Sequence, residues 1–117
     1  MKERNLVIGA NSFIGSHLVS YLKIENEVVG VYHKNTHLLF DDVYNLPIDS
    51  IDKIENKFDN VYILSSYINV GKLDNDTRCS MYKTNIELVN KICSKFEESK
   101  IIFCSSVMVY DFTFLKL

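Results

Sequence analysis

The chain has little of what linkers, membranes and disulfide frameworks are made from. Four Gly and one Pro in 117 residues leave little room for a flexible connector, and no repeat or low-complexity tract is present. No apolar run approaches the roughly 20 residues of a membrane span. The opening Met1-Lys2-Glu3-Arg4 leads into a short apolar run broken by Gly9, without the apolar core and cleavage site of a secretory signal. Cys79, Cys93 and Cys104 are odd in number and contain no C-x-x-C pair. Free thiols in a reducing cytoplasm are therefore a simpler reading than a zinc site or a disulfide framework, and no metal is expected. Nor does one charge dominate: 13 basic against 15 acidic side chains give −2, which removes the electrostatic case for a nucleic-acid or anionic-membrane partner. What is present is apolar bulk. The chain is 47% hydrophobic, with seven Phe and seven Tyr, enough to fill the core of the single domain over 1–117 that its length predicts.

The apolar runs are short, β-branched and regularly spaced. Asn5-Leu6-Val7-Ile8 reads as a strand, followed at once by Gly9 and by Ile14, Leu18 and Leu22 at helical spacing. Val28 to Tyr32 reads as the next strand, with a short extended piece around Leu46 to Asp49 and one or two helical turns between Ile51 and Phe58. Val61 to Leu64 and Ile101 to Cys104 are two further buried strands. Between them Met81, Leu88, Val89, Ile92, Cys93 and Phe96 repeat at three and four, which predicts a helix from about 77 to 97 with a buried stripe. Continuous apolar strands alternating with amphipathic helices indicate a parallel sheet covered on both faces. The expectation is an α/β, Rossmann-type doubly wound sheet of about five strands in the order 3-2-1-4-5.

The informative segment is Ile8-Gly9-Ala10-Asn11-Ser12-Phe13-Ile14-Gly15, which follows a strand and opens a helix. In that context glycines let the backbone approach a pyrophosphate lying on the helix N-terminus. Spacing alone is also that of a tight turn with a close helix–strand contact. Extended through Ser16-His17-Leu18, the segment resembles the T-G-x-x-G-F-I-G-S-x-L start of the extended short-chain dehydrogenases, the NAD(P)-dependent nucleotide-sugar epimerases, dehydratases and reductases. Asp59-Asn60-Val61-Tyr62-Ile63-Leu64-Ser65-Ser66 is similar to the family's D-x-V-x-H-L-A-A, and Ser105-Ser106-Val107-Met108-Val109-Tyr110 to its S-S-x-x-V-Y-G. With Asn85 on the long helix, these motifs cover essentially the whole chain.

The resemblance implies a dinucleotide partner and a set of site residues. Asn11, Ser12, Phe13 and Ile14, between Gly9 and Gly15, would cradle the pyrophosphate. Ser12 replaces the family's middle glycine and Ile8 its threonine; a serine still has an N–H to present, so an altered pocket is expected. His17 reads as a partly exposed helix residue. The end of the second strand selects the cofactor, a carboxylate there accepting from both ribose hydroxyls. Here Tyr32, His33 and Lys34 stand at that place, which points to NADP over NAD. Asp49, with Ser50 beside it, lies where the family recognises adenine; Asp49 also reads as the cap of the helix starting near Ile51. Leu64, Ser65, Ser66 and Tyr67 follow the fourth strand, where small side chains let a cofactor pass close to the backbone. Asn85 falls on the face assigned to the core and is expected to bond to strand-end backbone or to the ligand's surroundings.

Ser105 belongs to the same site, and Ser106 occupies the family's catalytic serine or threonine position, where its hydroxyl would orient a substrate. The family's acid/base is a tyrosine in Y-x-x-x-K, its phenol made more acidic by the lysine. None of the seven tyrosines here is followed four residues later by lysine. Asp111 replaces the glycine after V-Y, and the ending resembles nothing in the family's next segment. The expectation is a cofactor-binding domain, truncated relative to the family, without a substrate domain and catalytically incomplete alone. A nucleotide-sugar would become a partner only if another chain completed it. A non-catalytic dinucleotide-binding or sensing module, or an inactive remnant, is also consistent with Ser12 and Asp111. A fifth strand at the sheet margin, followed by Phe112, Phe114, Leu115 and Leu117, predicts a homodimer.

Overall fold

The computed structural model describes residues 2–64 and 74–104. Five strands are all parallel: β1 (Arg4–Ile8), β2 (Glu27–Tyr32), β3 (Tyr44–Pro47), β4 (Asn60–Ile63) and β5 (Lys100–Phe103), in the spatial order β3-β2-β1-β4-β5. That is the expected doubly wound order. Helix α1 (Phe13–Leu22) crosses from β1 to β2. A longer helical segment crosses from β4 to β5 as α2 (Asn75–Tyr82), one π-helical turn (Lys83–Glu87) and α3 (Leu88–Lys95).

Both faces of the central strands are buried, which is why those strands read as continuous apolar runs. Leu6, Ile8, Val29, Val31, Val61 and Ile63 form one face with Ile92 and Phe96 of the β4–β5 helix, and Phe96 meets Phe58 edge-on at 5.9 Å. Val7 and Val28 form the other face with Val19 and Leu22 of α1 and with Val43 of the loop before β3. A buried polar pair locks the register at the amino edge. Asn5, 1% exposed, accepts a 2.9 Å bond from Asn60 Nδ2. Beside it Arg4 lies over the Phe58 ring at 4.6 Å and pairs with Glu27 and Glu55.

Several local expectations are corrected. The β4–β5 helix begins at Asn75, capped by Asp74, whose carboxylate accepts from Thr77 N at 2.7 Å. This bond holds the Asp74 carboxyl below its ordinary range. Cys93 is exposed, because one residue on from Ile92 it is turned about 100° away from the sheet. The third strand ends at Pro47, not Asp49. Helical turns fall at Ile48–Ser50 as a single 3-10 turn rather than between Ile51 and Phe58. Asp49 is therefore inside that turn and caps no helix; the cap residue is Pro47, with no side-chain bond.

Candidate cofactor site

Parallel pairing brings the carboxyl ends of all five strands to one edge: Ile8 lies level with Val31 and Ile63, and these with Leu46 and Phe103. Ligands of open α/β sheets bind at this edge, beside the first strand. The chain leaves β1 through Gly9, whose φ of 91° lies in the region that side chains disfavour. The N–H groups of Gly9 and Ala10 both bond to the Val31 carbonyl at 2.9 and 3.0 Å, which fixes the turn to β2.

Helix α1 starts immediately after this turn and so close to it that only glycine fits at position 15. A Cβ on Gly15 would lie 1.9 Å from the Gly9 carbonyl oxygen. Ser12 is the N-cap: its Oγ accepts from Gly15 N at 3.0 Å and donates to Gly9 O at 2.8 Å. Its own N–H bonds to Gly9 O at 3.1 Å. The Ser12 N–H is therefore used inside the turn, the alteration that a serine at this position brings. A helix start leaves four N–H groups without helical partners. Ser12 and Gly15 have used theirs, and among the described residues those of Phe13 and Ile14 have no hydrogen-bond partner. Two adjacent donors at the positive end of a helix suit an anion. Phe13 and Ile14 are 76% and 55% exposed, and His17, also exposed, meets the Phe13 ring edge-on at 4.8 Å.

Asn11 does something the sequence did not show. Its amide donates to the Asn35 carbonyl, and Asn35 Oδ1 accepts from His37 N at 2.8 Å, so the glycine turn and the loop after β2 are tied together. Gly30 was also missed as a close approach: a Cβ there would meet Asn45 Oδ1 at 2.5 Å and Ala10 Cβ at 2.9 Å. The signal was a glycine inside a β-branched strand.

Tyr32 is half-buried at the end of β2, and His33 and Lys34 follow it, exposed. A cavity of about 460 Å³ opens beside them, between the Ile48–Asp52 turn and the β4–β5 helix. Ile48, Ile51 and Leu88 give it apolar lining, while His33, Asp49, Asp52, Lys83, Thr84, Glu87 and Lys91 give it polar lining. Desolvation lowers the His33 pKa below its ordinary 6.5, with the Asp49 carboxylate opposing the shift. Ser50 is half-buried in the same turn, Leu64 is half-buried at the end of β4, and Asn85 is half-buried in the π-helical turn. Ser65, Ser66, Tyr67, Ser105 and Ser106 lie outside the described residues. A wider groove of about 680 Å³ runs along residues 36–45. Lys23 stands there over the Phe40 ring at 4.3 Å, bonded to Asp42.

A doubly wound sheet, a glycine turn from the first strand into a helix and two open N–H groups at the carboxyl edge are the arrangement of a nucleotide-binding type of α/β fold. The NAD dependent epimerase/dehydratase family matches residues 5–113, and the chain belongs to it. Comparison with curated proteins gives no significant match. Among solved structures it is similar to the UDP-glucuronic acid 4-epimerase of Bacillus cereus in complex with UDP-glucuronic acid and NAD. The identity is 26% and the TM-score 0.76, over 95% of this chain and 42% of that one. The UDP-N-acetylglucosamine 4-epimerase of Methanobrevibacter ruminantium M1, in complex with UDP-N-acetylmuramic acid, is 27% identical with a TM-score of 0.73, over 94% of this chain and 40% of that one. A short chain dehydrogenase of Burkholderia cenocepacia J2315 in complex with NADP shares the fold at 15% identity, TM-score 0.76, over 93% and 58%. This chain therefore spans less than two thirds of each. No described helix is long and apolar enough to cross a membrane.

Proposed function

We propose that this chain is the nicotinamide-dinucleotide-binding part of a nucleotide-sugar epimerase, dehydratase or reductase. The observation that carries the reading is the turn itself. Gly9 at φ 91° and a Gly15 without room for a Cβ bring α1 against β1, leaving the Phe13 and Ile14 N–H groups for a pyrophosphate. Asp49, Ser50, Leu64 and the polar cavity beside His33 would hold the adenosine, with Asn85 supporting that wall. Bound there, the cofactor would supply hydride transfer at its nicotinamide. The 4-epimerase neighbours, with nucleotide-sugars in their structures, support the substrate class. NADP over NAD is supported by the lack of a carboxylate at Tyr32-His33-Lys34. Ser106 would orient a sugar hydroxyl, while the proton-transferring Tyr–Lys pair has no match in this sequence. A cytoplasmic location and a homodimer belong to the same proposal.

A second reading, a dinucleotide-sensing module or an inactive remnant, draws on Ser12, whose cap takes the Gly15 N–H that a glycine would leave free. Fluorescence titration of the purified chain with NADH and NADPH tests both. Binding of either at micromolar to millimolar concentration is expected, with no turnover of UDP-sugars by the chain alone. Failure of both to bind at millimolar concentration overturns the assignment.

A further inference from the structure

The chain between β2 and β3 is held in two unequal halves that meet at Leu38. Residues 39–43 are fixed to the body of the domain. Leu39 and Phe40 pack against the cluster that contains Val19, Leu22 and Val43. Lys23 stands over the Phe40 ring and bonds to Asp42 at 2.9 Å, and Asn45 holds the Phe40 and Val43 carbonyls at 2.9 and 2.8 Å. Residues 33–37, by contrast, are all exposed. The middle one is tied to the glycine turn, where the Asn11 amide donates to the Asn35 carbonyl, and Asn35 Oδ1 in turn accepts from His37 N at 2.8 Å. The first, His33, lines the cavity of about 460 Å³. This half therefore runs from the cavity to the glycine turn. Leu38 joins the two halves at φ 66°, the one non-glycine at positive φ among the described residues. It is 61% exposed, so little packing of its own holds it in a conformation that a leucine disfavours.

We propose that residues 33–37 form a strap, hinged at Leu38 and latched to the glycine turn by Asn11, that closes the gap between the turn and the cavity. What the strap encloses rests on the dinucleotide reading; that Asn11 and Leu38 act on it in opposite directions goes beyond that reading. A residue that absorbs a change of φ and ψ between a fixed segment and a free one is the usual construction of such a closure. The latched strap requires Leu38 at positive φ, and a side chain raises the energy of that conformation, so opening relieves strain. The Asn11 amide works the other way, because its bond to Asn35 exists only while the strap lies against the turn. Each effect has the size of a single weak interaction, so either substitution shifts the closed fraction by a measurable factor. A dinucleotide running from the Phe13 and Ile14 N–H groups toward the cavity would lie under the closed strap and leave when it opens.

Trypsin reads the strap directly, because Lys34 lies within it and Lys53, also exposed, lies outside it. Cleavage of a folded chain follows the population of the locally opened form. In limited proteolysis of the full chain, timed by mass spectrometry, Asn11→Ala is expected to speed cutting after Lys34 about tenfold and to leave cutting after Lys53 unchanged. Leu38→Gly puts at the hinge the residue that adopts positive φ freely, and is expected to slow cutting after Lys34 a few-fold. Release of NADH, followed by stopped-flow fluorescence, should move in the same directions, faster from Asn11→Ala and slower from Leu38→Gly. The second variant discriminates, since Asn11→Ala alters the glycine turn itself whereas Leu38 lies outside it. Cutting after Lys34 that is unchanged in Asn11→Ala, or that rises equally with cutting after Lys53, overturns the latch. Faster cutting after Lys34 in Leu38→Gly overturns the hinge. Cutting that shifts as expected while NADH release stays the same overturns the enclosing role. If the unsubstituted chain binds no NADH, the dinucleotide reading falls and the enclosing role with it, while the proteolysis still decides the strap.

Discussion

The Ser12 hydroxyl and the Gly15 backbone N–H are bonded to each other at 3.0 Å, so the residue that stabilises the start of α1 also occupies one of the donors at its amino end. A serine cap replaced by alanine costs about 1 kcal/mol, and by glycine only a few tenths. The φ of −73° at Ser12 is accessible to any residue. Ser12→Ala is therefore expected to lower stability by about 1 kcal/mol, and Ser12→Gly by less. Both should tighten dinucleotide binding, since Gly15 N then faces the ligand. Urea midpoints and NADPH titration check the two halves separately; weaker binding in both variants would show that the cap serves the site.

Gly15 and Gly30 are both close approaches, but with different neighbours. At Gly15 an added Cβ meets backbone at 1.9 Å; at Gly30 it meets the Asn45 side chain at 2.5 Å and Ala10 Cβ at 2.9 Å. Backbone cannot yield without moving β1 against α1. Gly15→Ala is expected to cost at least the upper end of the about 1–3 kcal/mol typical of overpacking, so folding and binding are lost together. The loss in Gly30→Ala should be smaller, because Asn45 can turn aside, though it then releases the Phe40 and Val43 carbonyls it holds at 2.9 and 2.8 Å. Equal denaturant midpoints for the two variants would contradict this ordering.

The strand order was legible because Leu6 to Ile8, Val28 to Val31 and Val61 to Ile63 are buried on both faces, and only a parallel sheet between helices produces such runs. The glycine turn was legible because its spacing falls directly after the first strand. What was missed was local and non-periodic. A π-helical turn has no hydrophobic signature, so Lys83, Thr84 and Glu87 were not read as cavity lining. The Ser12 cap looked like a simple loss of glycine, since nothing in the order of residues says which N–H a hydroxyl will take. Asp49 looked like a cap because an acidic residue before an apolar run usually is one; a chain leaving β3 at Pro47 turns too early for that.

His33 gives the stability of the chain a pH dependence. Its folded-state pKa lies below the ordinary 6.5, with desolvation as the main cause and Asp49 opposing. The unfolded chain then binds the proton more readily than the folded one. The contribution is fully present above pH 6.5 and is lost as the pH falls through the folded value. Melting temperature is expected to fall as pH is lowered from 7 toward 5, and His33→Gln should flatten that part of the curve. Because His33 is exposed at the loop surface, the effect is small; an identical pH profile in the variant would remove His33 as its source.

Strand β5 supports a prediction about assembly. Among the described residues it pairs only with β4, and Phe103 at its carboxyl end is 53% exposed. An edge that offers open backbone groups and an apolar side chain pairs readily with another strand. A two-fold pairing of β5 with β5 of a second copy would satisfy both edges at once. Phe112, Phe114, Leu115 and Leu117 follow this strand in sequence and lie outside the described residues. The purified chain is expected to scatter light as a dimer at high micromolar concentration. Phe103→Lys, which places a charge on the pairing edge, should return it to a monomer without changing its melting curve beyond the loss of association. A monomer in the unsubstituted chain at that concentration overturns the prediction, and a dimer that survives Phe103→Lys moves the interface away from β5.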